Sequence, residues 1–92
     1  MDFYVYILRS CKDGSLYIGQ TKNLLRRLQQ HNNQSQKNYT AKRGPWELTY
    51  HEEFANRSEA ARRERFLKSR AGAFEKKKLA ANESLIDQAA TG

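Results

Sequence analysis

The chain has 92 residues, of which 38% are hydrophobic, so it can build one small core, and its single cysteine excludes an intrachain disulfide. Its 17 Lys and Arg against 10 Asp and Glu give a net charge of +7, which favours nucleic acid as a partner. No apolar run is long enough for a membrane span and the first residues lack signal-peptide features, so we expect a cytoplasmic protein that does not bind membranes.

The first twenty residues predict an antiparallel β-hairpin. Residues 3–8 are continuously apolar or aromatic, which is typical of a strand buried on both faces in the middle of a sheet. Residues 10–15 contain an Asp-Gly pair, a strong turn signal, and residues 16–19 form a second strand. For an even number of loop residues, Tyr6 and Tyr17 project from the same face of the sheet.

Residues 22–32 predict a helix with two polar side chains at the edge of its apolar face. At about 100° per residue, one apolar arc is formed by Leu24, Leu25 and Leu28. Arg27 and His31 fall at the edge of this arc, where a cation and an imidazole can reach a cleft over the sheet. The alternative is that Arg27 only extends along the apolar surface to water and that His31 only complements the helix dipole.

A polar loop and a third strand follow the helix. Residues 32–43 are polar and aperiodic, which predicts a surface loop, and Tyr39 within it can contact a phosphate or stack on a base. Residues 46–54 alternate loosely between apolar and polar positions. Because Pro45 precedes them, we expect a strand at the edge of the sheet.

Capping-box spacing between Asn56 and Glu59 predicts a second helix over residues 57–70. Its apolar face is formed by Ala60, Ala61, Leu67 and Ala71. Glu64 falls in the middle of this face, where a carboxylate needs a cation, a hydrogen bond or a metal ion. An ion pair with Arg27 or with a neighbouring arginine is the alternative to a metal site.

The last part of the chain predicts a short helix and a tail. Residues 73–81 read as a third helix, whose lysines at 76–78 form either a solvated face or a contact to backbone phosphates. Residues 82–92 have no strong pattern, and we expect a disordered tail. The sequence therefore predicts an α+β domain over residues 1–81, with a three-stranded antiparallel β-sheet flanked by about three helices.

Five positions, in this order and at these separations, resemble the GIY-YIG nuclease superfamily: Tyr6, Tyr17, Arg27, His31 and Glu64. Tyr17-Ile18-Gly19 matches the second half of the name-giving motif, whereas Tyr4-Val5 stands where the first half has Gly-Ile. The resemblance covers about residues 3–80 and is greatest to the small single-domain bacterial branch. That branch is similar to the catalytic module of structure-specific repair and recombination endonucleases.

The resemblance implies a one-metal phosphodiesterase site. Tyr17 would act as the general base or orient the attacking water, and Tyr6 would assist it through hydrogen bonds. Arg27 would stabilise the charge that develops on the phosphate. His31 would assist proton transfer, and Glu64 would coordinate a divalent cation, Mg²⁺ or Mn²⁺.

The same resemblance implies the substrate and further partners. Tyr39 lies where many members have another polar or aromatic active-site residue. The expected activity is hydrolysis of DNA phosphodiester bonds, including branched or damaged DNA, with the phosphate backbone bound without sequence preference. A protein partner would supply substrate specificity. The alternative is a nucleic-acid-binding module that keeps the fold but is inactive alone or needs a partner.

Overall fold

The computed structural model describes residues 2–33 and 44–81, and the predictions for Tyr39 and for residues 82–92 lie outside them. The elements follow in the order β1 (Phe3–Ser10), β2 (Leu16–Thr21), α1 (Leu24–Asn32), β3 (Trp46–Phe54), α2 (Arg57–Lys68) and α3 (73–81). The predicted α+β architecture is confirmed. In the described ranges, no helix has the length and apolar character needed to cross a bilayer.

The sheet has the strand order β2-β1-β3, and both pairings are antiparallel. β1 is the central strand, and its middle is buried, as the unbroken apolar run predicts. β3 is an edge strand, as Pro45 before it indicates. The turn between β1 and β2 contains Gly14 at a φ of 78°, a conformation that favours glycine, which accounts for the Asp-Gly signal.

Alternation along β1 divides the core into two clusters, one on each face of the sheet. The first cluster joins the sheet to α2 and α3 and consists of Val5, Ile7, Ile18, Ala60, Leu67 and Ala80. The second cluster packs against α1 and is centred on Tyr6, Leu8 and Trp46. Tyr6 and Tyr17, two of the predicted active-site tyrosines, therefore lie on the face that α1 covers.

A β-bulge at Thr49 determines which residues of β3 face each cluster. The pairing shifts at this point, because Ile7 pairs with Tyr50 whereas Leu8 pairs with Leu48. The buried hydroxyl of Thr49 donates a hydrogen bond of 3.0 Å to the Ile7 carbonyl. Leu48 consequently packs on the α1 side and Tyr50 on the α2 side, although a regular strand would place them on one face.

Asparagine side chains cap both α1 and α2. Asn23 Oδ1 accepts the Arg26 N–H at 3.0 Å, and Asn56 Oδ1 accepts the Glu59 N–H at 2.9 Å. Asn56 Nδ2 also donates to Glu59 Oε1 at 3.1 Å, a contact between the side chains of the two predicted capping-box positions. Each cap satisfies a backbone donor at a helix start and contributes about 1 kcal/mol.

Two residues that the sequence places on apolar faces are exposed instead. Leu25 is 67% exposed, because α1 packs on the sheet through Leu24 and Leu28. Ala71 is exposed because α2 ends at Lys68, so the predicted helical periodicity does not extend to it.

Candidate active site

The hydroxyl of Tyr6 joins Arg27 and His31 in one hydrogen-bonded chain. Arg27 Nε donates to Tyr6 Oη at 3.2 Å, and Tyr6 Oη lies 2.9 Å from His31 Nε2. Tyr6 is 1% exposed and His31 is 5% exposed. Because a guanidinium has only donors, the single hydroxyl proton of Tyr6 goes to His31. We therefore assign Nε2 as the acceptor and place the imidazole proton on Nδ1.

Burial keeps the side chains of Tyr6 and His31 uncharged at neutral pH, so the charge of this hydrogen-bonded group lies on Arg27. Burial raises the pKa of the Tyr6 hydroxyl, although the hydrogen bond from Arg27 opposes that effect. Burial, followed by the positive charge of Arg27, lowers the pKa of His31. At neutral pH the site therefore holds a phenol, a neutral imidazole and a guanidinium cation.

Tyr17 packs against this chain on the same face of the sheet, as the hairpin parity predicts. Its ring centroid lies 4.7 Å from that of His31, 6.4 Å from that of Tyr6 and 6.2 Å from that of Trp46. The hydrogen bond to Tyr6 raises the pKa of Arg27, and interaction with Tyr17 adds to the same effect. The guanidinium thus donates to one phenol and lies within electrostatic range of the other.

Gly19 provides the space that the Tyr6 ring occupies. It lies directly opposite Tyr6 in the β1–β2 pairing. A Cβ on Gly19 would stand 2.7 Å from Tyr6 Cζ and closer still to the hydroxyl oxygen. No side chain therefore fits at this position unless the phenol moves.

Two hydrogen bonds, donated by two of its nitrogens, orient the Arg27 side chain. Nε donates to Tyr6, and Nη1 donates to Gln30 Oε1 at 3.2 Å. The residue is otherwise exposed, so the guanidinium can meet a ligand at the surface. Arg27 does more than extend along apolar surface, and His31 does more than end a helix. A guanidinium oriented in advance is suited to binding phosphate oxygens.

Glu64 lies outside this contact chain, on α2, which packs against the opposite face of the sheet. Its side chain is 18% exposed, and Lys68 Nζ donates to its Oε2 at 2.6 Å. In the described ranges its ion-pair partner is thus Lys68 rather than Arg27 or an arginine of the same helix. Burial, and to a smaller extent the charge of Glu64, raises the pKa of Tyr6. The carboxylate is therefore within electrostatic range of the phenol.

The carboxylate of Glu64 is suited to bind a divalent cation as a single protein ligand. Across residues 2–33 and 44–81 there is no group of three or more His, Cys, Asp or Glu side chains that could hold a metal ion. Glu64 already attracts one cation, the Lys68 ammonium. Mg²⁺ is often bound by one or two carboxylates, with waters and substrate phosphates as further ligands, and Glu64 suits that arrangement.

Asn32 holds the end of α1 against β3, a role that the sequence does not indicate. Its Oδ1 accepts the Trp46 N–H at 2.6 Å, and its Nδ2 donates to the Trp46 carbonyl at 3.1 Å. Because His31 precedes Asn32, this pair of hydrogen bonds positions the helical turn that carries the imidazole.

Comparison with known proteins identifies the family of this protein. The family model described as the GIY-YIG catalytic domain matches residues 2–78. A UPF0213 protein from Clostridium perfringens is 52% identical over 65 residues, which cover 71% of this chain and 69% of that protein. A UPF0213 protein from Oceanobacillus iheyensis is 50% identical over 76 residues, covering 83% and 86% respectively. The solution NMR structure of a UPF0213 protein from Bacillus halodurans has 40% identity and a TM-score of 0.51, and the match covers 88% of this chain and 84% of that one.

Proposed function

The chain belongs to the GIY-YIG catalytic domain family, and we propose that it is a metal-dependent endonuclease that hydrolyses DNA phosphodiester bonds. The observation that carries the proposal is the Arg27–Tyr6–His31 chain with Tyr17 packed on it, because one oriented cation and three proton-bearing groups meet there. The net charge of +7 supports a DNA substrate. Branched or damaged DNA, a protein partner that supplies substrate choice and a cytoplasmic location are parts of the same proposal.

Phosphodiester hydrolysis requires an aligned water, stabilisation of charge on the phosphate and help for the leaving oxygen. We assign charge stabilisation to Arg27, whose guanidinium is oriented before substrate binds. Tyr17 orients the attacking water with its hydroxyl, since its ring lies beside the neutral His31, and the proton released from that water passes to bulk solvent. Tyr6 orients both neighbours and is not the base, because burial raises the pKa of its hydroxyl.

Glu64 would hold the divalent cation, Mg²⁺ or Mn²⁺. When bound, such a cation stabilises charge on the phosphate and on the leaving oxygen as a Lewis acid. The Lys68 ammonium must first leave the Glu64 carboxylate. Lys68 has a flexible side chain that is 51% exposed, and exposed ion pairs contribute little, so this displacement costs little free energy. Tyr39 stays a predicted further active-site residue.

A cleavage assay on duplex, flap, fork and single-stranded DNA, with Mg²⁺, Mn²⁺ or a chelator, tests the proposal. Tyr17→Phe removes one hydroxyl and keeps the ring, and we expect it to slow cleavage by about 10²-fold or more. Tyr50→Phe is the matched control, because Tyr50 lies on the α2 side of the sheet and its hydroxyl donates to Glu52. It should cleave at the unsubstituted rate. Absence of metal-dependent cleavage of every DNA form would contradict the proposal.

A second candidate function is a DNA-binding module that does not hydrolyse DNA by itself. The ion pair between Lys68 and Glu64 favours it, because an ammonium group contacts the proposed metal ligand. Lys68→Gln separates the two candidates. An endonuclease should bind Mn²⁺ more tightly after this change and cleave DNA at lower metal concentration. A binding module should show weaker DNA binding and no cleavage.

A further inference from the structure

A second group of cations lies at the end of the sheet where β1 begins and β2 ends. Lys22 Nζ is 5.2 Å and Arg57 Cζ is 5.4 Å from the ring centroid of Phe3. Both cationic residues are exposed. Together with Gln20 and Thr21, these three residues line a cavity of about 200 Å³.

The two cations on the Phe3 ring have no carboxylate partner in the described ranges, where the ion-paired cations are Arg9, Arg63 and Lys68. The positive charges of Lys22 and Arg57 therefore lie within about 11 Å of each other, next to one aromatic ring. Cation–π contacts hold the side chains in place but leave their N–H donors available for a ligand. An anion with several acceptor oxygens would balance both charges.

The cavity lies near the proposed active site along two elements. Thr21 is two residues beyond Gly19, which pairs with Tyr6, so the cavity is about 7 Å along the strand from that pair. On α2, Arg57 and Glu64 are seven residues apart, about 10 Å along the axis and on nearly the same side of the helix. A DNA strand rises about 3.4 Å per nucleotide, so these distances correspond to about two or three nucleotides.

We propose that Lys22 and Arg57 together bind one backbone phosphate of DNA, about two or three nucleotides from the bond that is cleaved. The inference rests on the proposed function and adds to it a substrate contact remote from the chemistry. Lys22 supplies a compact ammonium and Arg57 a planar fork of donors, and Phe3 orients both. A phosphate contact carries no sequence information, so it positions the strand relative to Arg27 whatever its bases are.

Fluorescence anisotropy with labelled duplex DNA, in a chelator that prevents cleavage, tests the proposal on the full chain. The variants are Lys22→Gln, Arg57→Gln and their combination. Lys12→Gln is the matched control, since it removes the same charge from the hairpin turn at the opposite end of the sheet. Each phosphate contact makes the slope of log affinity against log salt concentration steeper by about 0.9. At roughly 0.1 M salt this corresponds to about eightfold in affinity.

Because both cations bind one phosphate, each single variant should weaken binding several-fold beyond Lys12→Gln. The double variant should lose about eightfold in total, with a salt slope lower by about 0.9. If the variants lose no more affinity for DNA than Lys12→Gln does, the proposal is overturned. It is also overturned if the two single losses of affinity multiply in the double variant, because that result indicates two separate phosphates. Lys22→Arg and Arg57→Lys keep the charges and should retain most of the affinity, and melting curves verify that every variant is folded.

A second set of measurements identifies the phosphate. Single phosphates of the DNA are replaced, one position at a time, by neutral methylphosphonates. One position should weaken binding by the unsubstituted chain and have no further effect on the double variant; if no position behaves in this way, the proposal is overturned. Displacement of DNA by millimolar inorganic phosphate at constant ionic strength would assign the cavity to free phosphate and would also overturn it.

These outcomes are separable from the fate of the proposed function. If the variants bind DNA normally while the chain cleaves it, the phosphate site is wrong and the endonuclease stands. If the variants lose binding as expected but no DNA is cleaved with any metal, the phosphate site stands and the endonuclease is wrong.

Discussion

Replacing Tyr6 with phenylalanine deletes one oxygen atom and leaves the aromatic ring in place. That oxygen accepts a hydrogen bond from Arg27 at 3.2 Å and donates one to His31 at 2.9 Å, in a side chain that is 1% exposed. Its loss leaves the Nε2 of a buried imidazole without a donor, which costs about 1–3 kcal/mol. Arg27 is exposed and can bind water instead. We therefore expect Tyr6→Phe to lower the free energy of unfolding by about 2 kcal/mol.

Thermal and denaturant unfolding measure this change. In a domain of this size, about 2 kcal/mol corresponds to a fall in melting temperature of roughly 8–16 °C. Tyr4→Phe, on the same strand but partly exposed, is the matched control and should stay within about 0.5 kcal/mol of the unsubstituted chain. Below the new melting temperature, cleavage by Tyr6→Phe should fall by about tenfold or more, because Arg27 loses one of its two contacts.

A double-mutant cycle decides whether the hydroxyl acts through His31. We expect Tyr6→Phe and His31→Leu to be coupled by about 1–2 kcal/mol, because each removes the partner of the other. If the two losses of stability add without coupling, the hydroxyl does not join these side chains and our reasoning about the site is wrong.

Four further outcomes follow from the structure. Gly19→Ala should lower the free energy of unfolding by about 1–3 kcal/mol, measured by thermal melts, because the added methyl group displaces the Tyr6 ring. His31 has a lowered pKa when folded, so its contribution to stability is complete above about pH 6.5 and is lost as pH falls toward that lowered pKa; denaturant titrations of His31→Asn should show a flatter pH dependence. Glu64→Gln should weaken Mn²⁺ binding, measured by calorimetry, yet change stability by less than about 1 kcal/mol, because it removes only an ion pair with an exposed lysine. Changing the three lysines at 76–78 to Gln should weaken DNA binding modestly in anisotropy titrations without slowing cleavage at saturating DNA, and an unchanged affinity would identify the triplet as a solvated face.

Features with a strong local signal were predictable from the sequence. The unbroken apolar run identifies β1 as the central strand, and the Asp-Gly turn identifies the hairpin. Strand alternation then places Tyr6 and Tyr17 on one face, because register in a hairpin follows from the pleat. The same local signals identify Asn56 as the N-cap of α2.

Features that depend on packing between distant segments were not predictable. A helical wheel gives the angle between Leu25 and its neighbours but not the direction of the sheet, so the prediction that Leu25 lies on the packed face is wrong. Glu64 pairs with Lys68 at the i,i+4 spacing of a helix, which is a local signal, but that spacing does not exclude a cation from a distant segment such as Arg27. The bulge at Thr49 and the hydrogen bonds of Asn32 to β3 join segments that sequence reasoning treats separately.

The central claim is that the oriented guanidinium of Arg27 acts on the phosphate that is cleaved. Arg26 is its neighbour on α1 and offers the sharpest control, since both residues are exposed and carry the same charge, whereas Arg27 donates to Tyr6. The measurement is single-turnover cleavage of DNA with Mg²⁺ by Arg26→Gln and Arg27→Gln. We predict that Arg27→Gln slows cleavage by about 10²-fold or more, whereas Arg26→Gln stays within about threefold of the unsubstituted chain. Equal rates for the two variants would contradict the claim.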